Sequence, residues 1–147
     1  MIKKTVTYTD FDDNSVTETL RFHITEAELA EMEVNTPGGL AAKLESVTTG
    51  TGKDILDVFK YLIMSAYCEV VRDKNGRQLL MKKDADGHRL ADDFVQSLAY
   101  NALFTELIES PEKAAEFVNG LFPKDLVEKA QKEVEKAKTS GLPSGNN

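Results

Sequence analysis

Val16-Thr17-Glu18-Thr19-Leu20-Arg21-Phe22-His23-Ile24 runs directly into Thr25-Glu26-Ala27-Glu28, and the change of period between them decides the fold. In the first stretch Val16, Leu20, Phe22 and Ile24 fall on one face, with Thr17, Thr19, Arg21 and His23 on the other. A period of two marks a half-buried strand. The second stretch is a capping box: the Thr25 hydroxyl can accept from the Glu28 N–H while Glu28 reaches back, so a helix starts here. Upstream, Ile2, Lys4, Val6 and Tyr8 oppose Lys3, Thr5, Thr7 and Thr9. Asp10-Phe11-Asp12-Asp13-Asn14-Ser15 is the loop that makes residues 1–24 a β-hairpin. An isolated hairpin is marginal in water, so it must pack on helices or pair with another chain.

Downstream, helical signals dominate. The first helix ends by Asn35, because Thr36-Pro37-Gly38-Gly39 cannot continue it. A short helix covers Leu40 to Val47. Thr51 caps a longer one with Asp54 at the reciprocal position, and Ile55, Val58, Phe59, Leu62, Ile63 and Ala66 give it a core face. Cys68 falls at the end of that helix, with a packing role. Residues 69–81 read as a second hairpin, with Asn75-Gly76 as a type I′ turn. A long helix spans about Leu90 to Ile108. Ser110-Pro111 starts another, which stops near Gly120. Pro123 opens a last helix with the thin stripe Leu126, Ala130, Val134 and Ala137, and the Gly/Ser/Asn-rich residues 140–147 read as a disordered tail. The expected fold is α+β and mainly α-helical: an N-terminal β-hairpin, about five helices and a short internal hairpin. It forms one domain over 1–139, divided into the hairpin (1–24), a helical core (25–123) and a terminal helix (124–139).

The 147 residues suit one domain, and 41% hydrophobic residues suffice for a core. The net charge of −7 argues against nucleic acid as a partner, since phosphate binding needs basic surface. The charge is uneven: residues 10–57 carry eleven acidic and three basic side chains (net −8), 69–83 two and five (+3), and 84–116 eight and two (−6). No apolar run approaches the roughly 20 residues that span a bilayer, and no signal peptide follows Lys3-Lys4, so a membrane role is not expected. A single cysteine fits a reducing compartment.

Catalytic and metal chemistry finds little footing. A zinc site wants about four N or S ligands, and only His23, His88 and Cys68 are on offer. The acidic loops at Asp10–Asn14 and Asp84–Gly87 lack the spacing and terminal glutamate of a calcium loop. Thr49-Gly50-Thr51-Gly52-Lys53-Asp54 has glycines, a lysine and a helix start, but Asp54 stands where a phosphate-binding loop needs Ser or Thr. No nucleophile, base and orienting group occur together. The expectation is no catalysis, no cofactor and no metal.

Four blocks carry a resemblance. They are Thr25–Glu33 followed by Pro37-Gly38-Gly39-Leu40; Phe59-Lys60 through Ala66-Tyr67; the basic hairpin with Gly76-Arg77; and Ser97-Leu98-Ala99-Tyr100-Asn101-Ala102-Leu103-Phe104-Thr105-Glu106-Leu107 followed by Ala114–Pro123. In order and spacing they resemble tail assembly chaperones of long-tailed, siphovirus-type phages, in the short form made without ribosomal frameshifting. The resemblance implies a non-catalytic protein that binds the tape measure protein in the host cytoplasm and is absent from the mature virion. Tail tube protein is a further implied partner. The alternative is a structural virion protein, such as a tail completion or connector subunit. Self-association is expected through the hairpin edge and the broad apolar face of the long helix. Helix-in-groove recognition reads a partner at i, i+3, i+4 and i+7. Tyr100, Phe104, Leu107, Phe117, Leu121 and Phe122 are the candidate partner-binding residues.

Overall fold

The computed structural model describes residues 1–49 and 52–122. The Thr51 cap, the terminal helix and the 140–147 tail lie outside the described residues. The chain runs β1 (Ile2–Thr9), β2 (Ser15–Phe22), α1 (Glu26–Asn35), α2 (Leu40–Thr49), α3 (Gly52–Ala66), β3 (Tyr67–Arg72), β4 (Gln78–Met81), α4 (Leu90–Phe94), α5 (Leu98–Glu109) and α6 (Pro111–Leu121).

The two hairpins are not separate, which corrects the expected architecture. They join into one four-stranded antiparallel sheet, β1-β2-β3-β4, accompanied by six helices among the described residues. The join is short: Arg21 pairs with Cys68 and Phe22 with Tyr67, extended by the His23 N–H donating to the Ala66 carbonyl at 2.9 Å. It exists because α3 stops at Ala66 and Tyr67 begins a strand at once. Cys68 therefore lies in β3 rather than at a helix end. It is buried, and burial pushes its thiol pKa up.

The faces of the first hairpin follow its alternation. Val6, Leu20, Phe22 and Ile24 are buried. On the outer face Thr5 meets Thr19 at 3.1 Å and Thr7 meets Thr17 at 2.9 Å. Phe22 is the centre of the core, its ring meeting Tyr67, Phe94 and Phe117 edge-on at 5.8, 5.9 and 5.1 Å. Fully burying such a side chain contributes about 1.5–3 kcal/mol, and each aromatic pair about 0.5–1.5 more.

The expected long helix over 90–108 is broken. Ser97 is extended and caps α5 by accepting from the Tyr100 N–H. Its hydroxyl also donates to the Phe94 carbonyl at 2.6 Å, closing off α4. A serine that serves both helix ends outcompetes continuation. The helix α6 ends at Leu121, near Gly120 as expected. A Cβ at Gly120 would stand 2.8 Å from Ile2 Cγ1, so the glycine lets α6 approach β1.

The expected type I′ turn at Asn75-Gly76 is also replaced. A type I′ turn needs positive φ at both residues, and here Gly76 alone has it (+81°). The connection is a five-residue turn, Asp73–Arg77, and the same turn recurs at Asp10–Asn14 and Asp84–His88. In each, the first aspartate's N–H donates to the carbonyl four residues on, at 2.8–2.9 Å, and its own carbonyl accepts from the fourth residue's N–H. Its Oδ1 accepts the N–H groups two and four residues on. The fourth position is left-handed in all three: Asp13 (φ 64°), Gly76 and Gly87 (φ 82°). The backbone hydrogen bond from Asn14 leads the effects that hold the Asp10 carboxyl below its ordinary pKa.

Lys82, just past β4, is the other organising residue. Its Nζ donates to the carbonyls of His23 (2.8 Å) and Ser65 (2.7 Å) and pairs with Glu28 at 2.7 Å. Glu28 is also the acceptor of the observed capping box at Thr25. Burial works against the Glu28 carboxylate, but the hydrogen bonds from Lys82 and Thr25 prevail and lower its pKa.

Two outcomes follow. Asp13→Gly relieves a left-handed non-glycine residue and should raise stability by about 0.5–1 kcal/mol, after the entropy glycine loses on folding. Differential scanning calorimetry checks this, and a lower Tm would contradict it. Lys82→Met strands two carbonyls and a part-buried carboxylate and should cost about 2–3 kcal/mol in urea unfolding at neutral pH. Because folding lowers the Glu28 pKa, its stabilisation is complete above the ordinary carboxyl value and lost as pH falls through the folded value. The loss caused by Lys82→Met should therefore shrink as the medium is acidified through that window. A loss constant with pH would remove Glu28 from the account.

Candidate interaction groove

A groove of about 630 Å³ lies between α2, α3, the end of α5 and α6. Leu44 comes from α2; Ile55, Leu56 and Phe59 from α3; Leu107 and Ile108 from α5; and Pro111, Ala114, Ala115 and Val118 from α6. Its walls are mainly apolar, and part of them is open to solvent: Leu56 is 42% exposed and Ile108 50%.

Local structure explains the opening. The start of α3 carries Ile55 and Leu56 before the helix reaches its fully buried residues Leu62, Ile63 and Ala66. Ser110 accepts from the Lys113 N–H and Pro111 occupies the first turn of α6. This sharp restart folds α6 back beside α5, leaving the last residues of α5 at a corner.

The groove has little to do with acid–base chemistry and much to do with shape. Among the described residues no ionisable side chain lines it. Exposed charges stand on its helices, which carry six acidic and three basic side chains in α3, α5 and α6, a net of −3. Lys53 pairs with Asp57 at 3.9 Å and Lys113 with Glu106 at 3.3 Å. Glu106 also pairs with Lys4, and the Lys4 hydrogen bond leads the effects that lower its pKa. A second, smaller cleft of about 270 Å³ is lined by Glu18, Tyr67, Glu69, Leu90, Asp93, Phe94 and Ser97. Its one serine, Ser97, is engaged in the caps of α4 and α5, donating to the Phe94 carbonyl and accepting from the Tyr100 N–H.

The candidate binding residues divide. Leu107, Phe117 and Leu121 are buried at 2%, 3% and 0% exposure, and so hold the core. Tyr100, Phe104 and Phe122 are half-buried against that core, with Tyr100 edge-on to Phe94 at 5.7 Å and tilted against Phe104 at 5.4 Å. Leu107 alone of the six also touches the groove. Sequence reasoning missed Leu56, Ile108 and Ala115. The available signal was the adjacent apolar pairs Ile55-Leu56 and Leu107-Ile108, in which one member cannot share its neighbour's face.

The remaining chemically suggestive residues stay apart. The Nδ1 of His23 is enclosed without a hydrogen-bond partner, and burial leads the effects that lower its pKa. His88 sits on the surface 3.0 Å from Asp93, whose hydrogen bond raises its pKa. Among the described residues no three His, Cys, Asp or Glu side chains are placed to hold a metal ion.

An apolar groove between helices is a surface suited to a protein partner, and comparison with known families points to assembly. A family model described as phage tail assembly chaperone matches residues 1–145. The chain belongs to the phage tail assembly chaperone family. No curated protein and no solved structure matches it. Family membership makes tail proteins the partners, and no described helix of this chaperone is long and apolar enough to cross a membrane.

The groove assignment separates two neighbouring residues of the chaperone. Leu107→Ala should cost about 3 kcal/mol, as a core truncation does. Ile108→Ala should cost less than about 1 kcal/mol. Chemical denaturation of both variants checks this, and equal losses would mean that Ile108 belongs to the core.

Proposed function

We propose that this chaperone binds the tape measure protein through the groove between α3, α5 and α6 and keeps it soluble until the tail tube assembles. The observation that carries the reading is an apolar seat, open at Leu56 and Ile108, on a chain of the tail assembly chaperone family. A long helical partner exposes apolar stripes, and a groove between helices is the surface that covers such a stripe. The acidic side chains around it suit a complex that must stay in solution. The work would be done in the host cytoplasm, and the protein would not remain in the virion. Tail tube protein and a second copy of the chain are further partners of this reading.

Co-expression with the phage's tape measure protein tests it. Wild type should move most of the tape measure protein into the soluble fraction, and Leu56→Asp with Ile108→Asp should return it to the pellet while circular dichroism stays helical. The reading fails if the tape measure protein is equally insoluble with and without the chaperone. Abundant chain in purified virions would instead favour a structural subunit.

A further inference from the structure

We propose that the fork between β2 and β3 is a second binding site, which takes an extended segment of a tail protein and seats one of its lysine or arginine side chains at the fork's base. The site shares no residue with the groove and does not rest on it.

The fork comes from the way the two hairpins join. β2 is eight residues long and β3 six, yet they pair only at Arg21–Cys68 and Phe22–Tyr67. Continued in register, Leu20 would face Glu69, Thr19 would face Val70 and Glu18 would face Val71. None of these pairs forms, so the strands part past Cys68. On its other side β2 is paired to β1 along its whole length, and β3 is paired to β4 from Glu69 to Arg72. Each hairpin is therefore complete on one side. Among the described residues no strand pairs with the sides that face the fork, Ser15–Leu20 and Glu69–Arg72. Open strand edges are templates for another strand, and folded proteins ordinarily blunt or cover them. Ser15–Leu20 holds one charged residue, Glu18, and no proline, so its sequence leaves the edge fit for pairing.

The base of the fork sets the chemistry of the occupant. The cleft of about 270 Å³ lies there. By the alternation of the strands, Glu18 and Glu69 stand on the same sheet face as Phe22 and Tyr67. Asp93 of α4 brings a third carboxylate to the cleft, and Tyr67 and Phe94, stacked at 4.1 Å, give it an aromatic wall. After burial, the charges of Glu69 and Glu18 are what raise the pKa of the Tyr67 phenol, so both carboxylates act at one point. Among the described residues no lysine or arginine pairs with Glu18, Glu69 or Asp93. Glu18 accepts from the Tyr8 hydroxyl and Asp93 meets His88.

Three carboxylates in one cleft repel one another, and an entering cation relieves that repulsion. An aromatic wall adds to its attraction and packs the aliphatic stem of a lysine or arginine. A strand lying in the fork turns every second side chain towards the face of Glu18 and Glu69. Backbone pairing thus supplies the hold, and the cleft selects a segment with a basic residue at one position.

The test uses the full chain and a fluorescein-labelled peptide of alternating threonine and valine with a central arginine. A control peptide carries glutamate at that position. Fluorescence polarisation should show the arginine peptide bound about tenfold more tightly, the scale of one charge-assisted contact. Glu69→Lys should reverse the order of the two peptides, which a general loss of folding would not do. In hydrogen exchange the arginine peptide should protect amides within Ser15–Leu20 and Glu69–Arg72 and leave those around Leu56 and Ile108 unchanged. No binding of either peptide, equal affinity for both, or protection confined to the groove would overturn the inference. Protection of the fork amides on concentrating the chain alone would give the fork to a second copy, and would overturn it too.

Discussion

The fold depends on how α3 ends. A helix leaves its last carbonyls without intrahelical donors, and a glycine cap or a few loop residues usually supply them. Here Ala66 is followed at once by the strand residue Tyr67, leaving no room for either. The carbonyls of Met64, Ser65 and Ala66 are met instead from a distance, by Arg89 Nη2 at 3.0 Å, Lys82 Nζ at 2.7 Å and the His23 N–H at 2.9 Å. One turn of helix thereby ties together the end of β2, the segment after β4 and the start of α4. The sheet becomes continuous at this point, and α1 is held to it through Glu28.

Around that knot the chain separates two uses of apolar surface. The side chains against Phe22 close a core in which, among the described residues, no polar or charged residue is buried. The side chains at the start of α3 and in the last turn of α5 are left partly in water. Leu107 and Ile108 are consecutive, yet one is 2% exposed and the other 50%. A binding protein needs both surfaces at once, because a seat is useful only if the body beneath keeps its shape when the seat is empty.

What the sequence reveals is what is settled locally. The capping box at Thr25, the alternation of Val6, Leu20 and Phe22, and the Ser110-Pro111 start are each decided within a few residues, and each is found in place. Residues that serve distant or competing partners are harder to read. Ser97 looks like an ordinary helical position until its hydroxyl is seen bridging two helix ends. Gly120 marks the end of α6 as its sequence suggests, but its close approach to Ile2 is a distant contact that no local pattern shows. The merger of the hairpins rests on two strand pairs about 45 residues apart in sequence. The groove was the least legible feature, since no single segment is grooved. It arises where three helices fail to meet, away from the buried side chains of Phe117 and Leu121.

The link between Ile24 and α6 bears on the order in which the protein can be made. The Ile24 N–H donates to the Leu121 carbonyl at 2.9 Å, and β2 finds its second neighbour only at Tyr67 and Cys68. A ribosome adding about 5–20 residues per second produces Leu121 about 5–20 s after Ile24. During that interval the first hairpin has a finished outer face of threonines and an unfinished inner one, with Phe22 lacking Phe94 and Phe117. The nascent chain therefore waits as a half-sheet, and closure comes as α6 leaves the exit tunnel.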